Sequence, residues 1–254
     1  MQRGSTFFKA VSVALLAAAG ICSGAQAAEL RVLSAGAIEP GLRAATVAFE
    51  KQTGHTAQIT FNTAPELRKR MESNPAFDVV IAPPAVINDF AAANKLADSR
   101  ANVGRVGMGV AVREGAPVPD VSSADALKRS VLEAESLVFN RASTGLYLES
   151  LLKKMDVYAQ VEPKTARYAD GASVMEHVIK GKGREIGFGA MTEILLYQGK
   201  GLKLVGPVPA DVQNYTAYTA APLASSPQAA LAQQFVTFLS GPGKPLFVAA
   251  GVTD

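Results

Sequence analysis

Short apolar segments alternate with amphipathic segments along the chain from residue 30 onwards. Three strand-like segments come first, over residues 30–34, 57–61 and 77–82. Apolar residues at helical spacing follow each of them and predict helices over 40–52, from Pro65 onwards and over 85–93. Three β-α units in succession predict a parallel, doubly wound sheet.

A long glycine-rich strand is predicted next, over residues 103–112, and a turn-dense stretch follows it. A second series of strands and helices then extends to about residue 190, and the chain returns through a predicted strand over 215–220 and a helix over 228–239. The sequence therefore predicts an α/β fold of two doubly wound lobes joined by two hinge strands. Residues 28–107 and 214–254 form the first predicted lobe, and residues 108–213 form the second.

The first 27 residues are typical of an export signal. Arg3 and Lys9 precede an apolar run over residues 10–19, and small residues at 25 and 27 fit a signal peptidase site, so cleavage is predicted before Ala28. A transmembrane anchor is the alternative, but it needs about 20 apolar residues. A lipid anchor on Cys22 is disfavoured because the preceding Ile21 is branched. The sequence thus predicts a periplasmic protein.

Composition narrows the function classes. The 254-residue chain is 48% hydrophobic and carries a formal charge of +3, without a basic tract that would indicate nucleic-acid binding. Cys22 is the only cysteine, so the mature chain contains no thiolate metal site and no cysteine nucleophile. His55 and His177 do not have metal-ligand spacing. We therefore expect a monomer with no metal and no cofactor.

Several short segments carry a family resemblance. They lie at residues 33–38, 61–67, 77–81, 143–147 and 235–242. Together with the order of the elements, they resemble the periplasmic molybdate-binding protein family, a branch of the type II solute-binding proteins. The resemblance implies that a small anion binds between two lobes and is passed to an ABC-type importer in the membrane. The chain also resembles the related periplasmic aconitate isomerases.

The resemblance also indicates where ligand-binding residues are expected. Family members hold an oxyanion with hydroxyls and backbone N–H groups at helix starts. The first such turn follows Ser34 and has Ala37 where a serine is expected, and Ala190 stands where a tyrosine is expected. Thr63, next to Asn62, matches a hydroxyl position, and Thr144 falls at a backbone-donor position. The loss of the serine and of the tyrosine implies a larger pocket and a molybdate affinity at least about a hundredfold weaker than in a typical member.

The same turns favour an anion on physical grounds alone. Four helices are expected to start directly after strands, near residues 37–40, 63–65, 143–145 and 171–173. In an open α/β sheet such starts meet at one edge with free N–H groups, and their dipoles attract anions. The candidate ligand residues in the last two turns are Ser143, Thr144, Gly171 and Ala172. The alternative is that the polar residues only cap their helices.

Arg141 is the most informative charged residue in these turns. It follows the strand that ends at Asn140 and precedes Ser143, so its guanidinium is placed to bind a carboxylate. The alternative is a solvated loop arginine. If it binds the ligand, Arg141→Ala weakens binding by about ten- to a hundredfold.

Two function classes remain open at this point. One is a solute-binding protein for a small anion, and the other is an isomerase that moves a proton within a tricarboxylate. The second needs a general base, for which the candidates are Glu39, Glu66, Asp170 and Tyr147. Each of them also fits an ordinary structural or surface role. The sequence does not assign a catalytic residue.

Overall fold

The computed structural model describes residues 27–73 and 76–254. All of the predicted export signal except its last residue, Ala27, lies outside this part, so cleavage before Ala28 stays a prediction. Among the helices in the described ranges, none combines the length and the apolar character that a membrane crossing requires.

The chain is a mixed α/β structure. Its strands are β1 (Glu29–Ala35), β2 (Thr56–Asn62), β3 (Val79–Ala82), β4 (Ala101–Arg113), β5 (Ser136–Asn140), β6 (Thr165–Tyr168), β7 (Glu185–Ala190), β8 (Leu202–Pro207) and β9 (Tyr215–Pro222). Its α-helices are α1 (Glu39–Thr53), α2 (Ala64–Glu72), α3 (Pro84–Ala92), α4 (Ala124–Glu133), α5 (Ser143–Lys154), α6 (Tyr158–Val161), α7 (Gly171–Lys180), α8 (Met191–Tyr197), α9 (Ala229–Ser240) and α10 (Lys244–Ala249).

Two groups of strands share the long strand β4. In the first group β1 lies between β2 and β3 and is parallel to both, and β9 is antiparallel to β3. In the second group β5 is parallel to β6 and β7, while β7 and β8 are antiparallel to β4. Parallel neighbours joined by helices produce the predicted doubly wound α/β class, which is confirmed.

β4 changes partners halfway along its length. It pairs with β9 from Ala101 to Gly107 and with β7 from Met108 to Ala111. We call β1 to β3, β9, α1 to α3, α9 and α10 the first lobe, and β5 to β8 with α4 to α7 the second lobe. The exact residue boundaries of the lobes stay a prediction.

Each lobe has its own apolar core. In the first, the Phe49 ring packs edge-on against Phe235 and Phe238, with ring centroids 5.0 and 5.4 Å apart. In the second, buried Phe139 and Phe188 pack with the apolar face of α5. Each core fixes the strands of its own lobe, and with them the turns at the strand ends.

The structure also contains elements that the sequence analysis did not predict. They are α6, α8, β8, α10 and a 3-10 turn at Gly36–Ile38 that leads into α1. Helix α5 begins at Ser143, within the turn over residues 143–145 where a helix start is expected. The helix α8 contacts both β4 and α1, and the Thr192 hydroxyl donates a hydrogen bond to the Ala37 carbonyl oxygen.

Candidate functional site

A cavity of about 310 Å³ opens where the parallel strands of both lobes end. This volume lies at the lower end of the range for small-molecule sites, about 300–1,000 Å³. The lining comes from the turns after β1, β2, β3, β5 and β6, together with α8 and β9. The carboxyl edge of the sheet is where an open α/β fold usually binds its ligand.

The four expected helix starts meet at this cavity. Ala37, Thr63, Thr144 and Ala172, one from each turn, all line it. Helices α1 and α2 have no side-chain hydrogen bond at the N-cap, so the Thr63 hydroxyl does not cap α2. The Ser143 hydroxyl does not cap α5 either, whose first turn is instead bonded to the Asn140 side chain. Uncapped helix starts leave backbone N–H groups for another partner, and their dipoles favour an anion there.

The buried Asn140 side chain shapes the start of α5. Its Oδ1 accepts hydrogen bonds from the backbone N–H groups of Ala142, at 3.0 Å, and Gly145, at 3.1 Å. Gly145 packs directly on the Asn140 backbone, because a methyl group at residue 145 would overlap with the Asn140 carbonyl oxygen. The turn therefore presents Ser143 and Thr144 to the cavity in a fixed conformation.

Most of the predicted ligand residues line the cavity: Ala37, Asn62, Thr63, Ser143, Thr144, Gly171 and Ala172. Ser34 lies inside β1, fully buried, and its hydroxyl donates to the Ala35 carbonyl oxygen at 3.1 Å. Ala190 is buried at the end of β7. Arg141 is exposed and does not line the cavity, although its backbone N–H donates to Tyr168.

Three of the candidate bases also line the cavity, and each has a distinct environment. Glu39 accepts an ion-pair hydrogen bond from Arg43 at 2.7 Å. Asp170 caps α7 by accepting from the Ser173 backbone N–H at 2.8 Å. Glu66 is exposed at the cavity edge. The fourth candidate, Tyr147, packs beside the second core and donates its hydroxyl hydrogen to Val212.

Glu193 is the acidic residue that the sequence analysis missed. It lies in the first turn of α8 and lines the cavity. Burial raises the pKa of its carboxyl group to about 7, and the negative charges of Asp170 and Glu39 add to this effect, while a hydrogen bond from the Ala190 backbone opposes it. The carboxyl group is therefore poised between its neutral and charged forms at neutral pH.

Neutral hydrogen-bonding groups complete the lining. Tyr197 and Tyr218 both reach the cavity, and burial raises the pKa of each phenol, which keeps it protonated. The Oδ1 atom of Asn62 is buried with no hydrogen-bond partner within the described residues. Because buried polar atoms are nearly always paired, this amide is available to a ligand. Tyrosine side chains thus reach the cavity from α8 and β9, whereas the resemblance placed one at residue 190.

The lining has no basic side chain. Over residues 27–73 and 76–254, lysine, arginine and histidine are absent from it. The described part of the chain also brings no three His, Cys, Asp or Glu residues close enough together to hold a metal ion. Any anion in the cavity therefore depends on helix N–H groups, hydroxyls and amides.

The fold and the cavity define a class of protein, namely a two-lobed binding protein with its ligand cavity at the junction of the lobes. The sequence profile of the bacterial extracellular solute-binding protein family matches residues 30–252. The chain belongs to this family, and its fold is that of the type II periplasmic binding proteins.

Comparisons with individual proteins agree with this assignment. A curated aconitate isomerase from Pseudomonas sp. is 29% identical over 238 residues, which cover 91% of this chain and 89% of that protein. The periplasmic molybdate-binding protein of Azotobacter vinelandii is 18% identical, with a TM-score of 0.73 over 89% of this chain and 99% of that one. The sulfate-binding protein SubI of Mycobacterium tuberculosis H37Rv is 16% identical, with a TM-score of 0.72 over 89% and 86%.

Proposed function

We propose that the protein is an extracytoplasmic solute-binding protein that captures a small organic carboxylate between its two lobes. It acts in the periplasm after cleavage before Ala28, as a monomer that hands its ligand to an ABC-type importer. The convergence of four helix starts on one cavity, of which those of α1 and α2 have no side-chain cap, supports this proposal most strongly. Movement of the lobes about β4 and β9 encloses the ligand.

The acidic residues of the lining are compatible with an anionic ligand. Arg43 balances the charge of Glu39, and the Asp170 carboxylate accepts a hydrogen bond from the Ser173 backbone N–H at the start of α7. The pKa of Glu193 is raised to about 7, so at neutral pH a large share of the molecules carry the neutral form, which does not repel an anion. Backbone N–H groups at helix starts bind anions without any basic side chain, and shielding from water strengthens the effect.

The size and chemistry of the cavity favour an organic carboxylate over a tetrahedral oxyanion. A small dry oxyanion site needs a dense shell of donors. Here Ala37 provides no hydroxyl and Ala190 is buried within the strand end, while the cavity occupies about 310 Å³. Molybdate and sulfate are expected to bind at least about a hundredfold more weakly than the best carboxylate.

A thermal-shift series tests the ligand class. Candidate ligands are molybdate, sulfate, succinate, citrate, tricarballylate and trans-aconitate, with glucose as a neutral control. A ligand at a hundred times its Kd stabilises the protein by about 2.7 kcal/mol, which raises Tm by roughly 5–10 °C. Stabilisation by molybdate at nanomolar affinity, or by none of the carboxylates, would contradict the proposal.

The hydroxyls at the α5 start are expected to contribute directly to affinity. Ser143→Ala and Thr144→Val each remove one neutral donor from the lining and should weaken carboxylate binding by about 3- to 10-fold. Ser150→Ala is the matched control, because Ser150 lies on the same helix but is exposed and outside the cavity. Isothermal titration calorimetry measures the change, and equal affinities for all three variants would place the ligand elsewhere.

The Arg141 prediction is tested in the same titrations. Its side chain is exposed in this structure, so a role in binding requires it to turn towards the cavity when the ligand is present. A ten- to hundredfold loss for Arg141→Ala supports that role. An unchanged affinity leaves Arg141 as a solvated loop residue.

A second candidate function is isomerisation of a tricarboxylate. The observation that favours it is the full-length similarity to an aconitate isomerase, together with a titratable carboxyl group inside the cavity. An allylic proton shift needs a base in the ligand cavity and no cofactor. A binder and an isomerase differ in one readout, the exchange of substrate carbon-bound hydrogen with solvent.

A further inference from the structure

The Glu193 carboxyl group lies where the two lobes present their helix starts to each other. Its Oε1 is 3.7 Å from the position that a methyl group on Gly36 would occupy, at the end of β1. Its Oε2 lies so close to Gly171, the first residue of α7, that a methyl group there would overlap with it. The side chain thus reaches from α8 into the space between a first-lobe turn and a second-lobe turn.

Titratable side chains from several neighbouring elements surround Glu193. Asp170 precedes α7, Glu39 begins α1 with Arg43 as its ion-pair partner, Tyr197 ends α8 and Tyr218 comes from β9. Burial raises the pKa of Glu193, the two acidic neighbours add to the shift, and the phenols stay protonated. In the described residues no basic side chain forms an ion pair with Glu193. Its carboxylate is therefore not neutralised by a partner and is free to accept a proton.

We propose that Glu193 is a catalytic residue, the single base that moves a proton between two carbons of an unsaturated tricarboxylate held in the cavity. This inference rests on the proposed function, because the cavity must first bind such a carboxylate. It adds a chemical step to binding and assigns that step to one residue.

The step balances without any other reactant. The Glu193 carboxylate removes a proton from the methylene group next to the carbon–carbon double bond, and the C–H electron pair forms a new double bond. The electrons of the old double bond then take a proton from the Glu193 carboxyl group at the far carbon. Because a carboxyl proton exchanges with solvent, that proton is replaced by deuterium when the reaction runs in D2O. The product is an isomer of the substrate, and Glu193 returns to its carboxylate form.

The rest of the cavity suits this reaction. Negative charge spreads onto the substrate carboxylates in the transition state, and uncapped helix starts such as that of α2 supply N–H donors for such charge. A base works best when its pKa is near the working pH, which is the case for Glu193. Glu39 and Asp170 are already engaged with Arg43 and Ser173, and so are less available as bases.

The test follows hydrogen exchange and binding separately. Wild-type protein is incubated with trans-aconitate in D2O, and NMR records deuterium in the carbon skeleton and the appearance of the cis isomer. Tricarballylate, which has no double bond, reports binding alone by calorimetry. Glu193→Gln should reduce exchange at least about a hundredfold while tricarballylate affinity changes less than about threefold. Glu176→Gln, on the exposed face of α7, should change neither.

Three further measurements identify the base. The exchange rate of the wild type should rise with pH to a plateau, with a midpoint near pH 7, as Glu193 ionises. Glu193→Asp keeps a carboxylate but places it farther from the substrate, because the side chain is one methylene shorter. This variant should therefore retain the pH profile at a lower exchange rate. Gly171→Ala should also lower the rate, because the added methyl group displaces the Glu193 carboxyl group.

Each outcome separates the two proposals. Tricarballylate binding without exchange of trans-aconitate in the wild type overturns the catalytic role and leaves the binding function intact. Exchange that survives in Glu193→Gln, or that is lost instead in Glu66→Gln or Asp170→Asn, overturns the assignment to Glu193. Loss of tricarballylate binding in Glu193→Gln makes the residue a binding contact and also overturns it. If the wild type binds no tricarboxylate, the catalytic role is overturned, and the proposed function itself is rejected only if succinate does not bind either.

Discussion

Glu193→Gln raises the Tm of the protein by roughly 6–10 °C at pH 8 and leaves it nearly unchanged at pH 4.5. The native state holds a proton on Glu193 up to a pKa of about 7, whereas the unfolded chain releases it at the ordinary value of 4.5. The native state therefore binds more protons between these values, and stability falls as the pH rises through that window. The difference corresponds to about 3 kcal/mol at pH 8, which glutamine avoids because it does not ionise.

Scanning calorimetry at the two pH values measures this effect. Glu66→Gln is the control, because Glu66 lies at the same cavity but its carboxyl group is exposed to water. Its Tm change should be small and should not differ between pH 8 and pH 4.5. Equal Tm changes for Glu193→Gln at both pH values would show that the carboxyl group is solvated in the native protein.

Gly145→Ala is expected to destabilise the protein by about 3 kcal/mol, or roughly 6–12 °C in Tm. The added methyl group would overlap with the carbonyl oxygen of Asn140 and would lie 2.9 Å from its side-chain Oδ1. The backbone of β5 has little freedom to move away, because β5 is hydrogen-bonded to β6 on one side and β7 on the other. The start of α5 must shift instead, which also weakens the bond from Gly145 to Asn140.

Gly36, a glycine that lines the cavity, provides the control. A methyl group at Gly36 would meet its nearest neighbour at 3.7 Å, an ordinary contact, so Gly36→Ala should change the free energy of unfolding by less than about 1 kcal/mol. Chemical denaturation of the two variants gives the comparison. A Gly145→Ala variant as stable as Gly36→Ala would mean that the α5 start is not tightly packed on β5.

The elements that the sequence predicted are those with a long periodic pattern. Helices α1, α3 and α9 and the strands of the first lobe follow the predicted positions within a few residues. Helix α8 has only seven residues, which is too short for apolar periodicity to separate it from a loop. The short helix α10 and the strand β8 were missed for the same reason.

The candidate site was predictable where it depends on local rules and was missed where it depends on distant contacts. A helix that follows a parallel strand starts at the carboxyl edge of the sheet. This rule correctly predicted that Thr63, Thr144 and Ala172 lie at one cavity. Nothing near Glu193 in the sequence marks it, because the carboxyl group lies beside Gly36 and Gly171, which are far away in the chain. Arg141 is adjacent to the cavity-lining turn in sequence, but adjacency does not fix the direction of a side chain.

The position of β9 has a consequence for the order in which the chain folds. β9 lies between β3 and β4 in the first lobe, yet it follows the whole second lobe in the sequence. A growing chain can pair β5, β6 and β7 while the first lobe still has an open edge at β3. Pairing across so long a sequence separation is slow, so completion of the first lobe is expected to limit the folding rate. A chain that ends before Tyr215 keeps the strands of the second lobe but lacks the strand that joins β3 to β4.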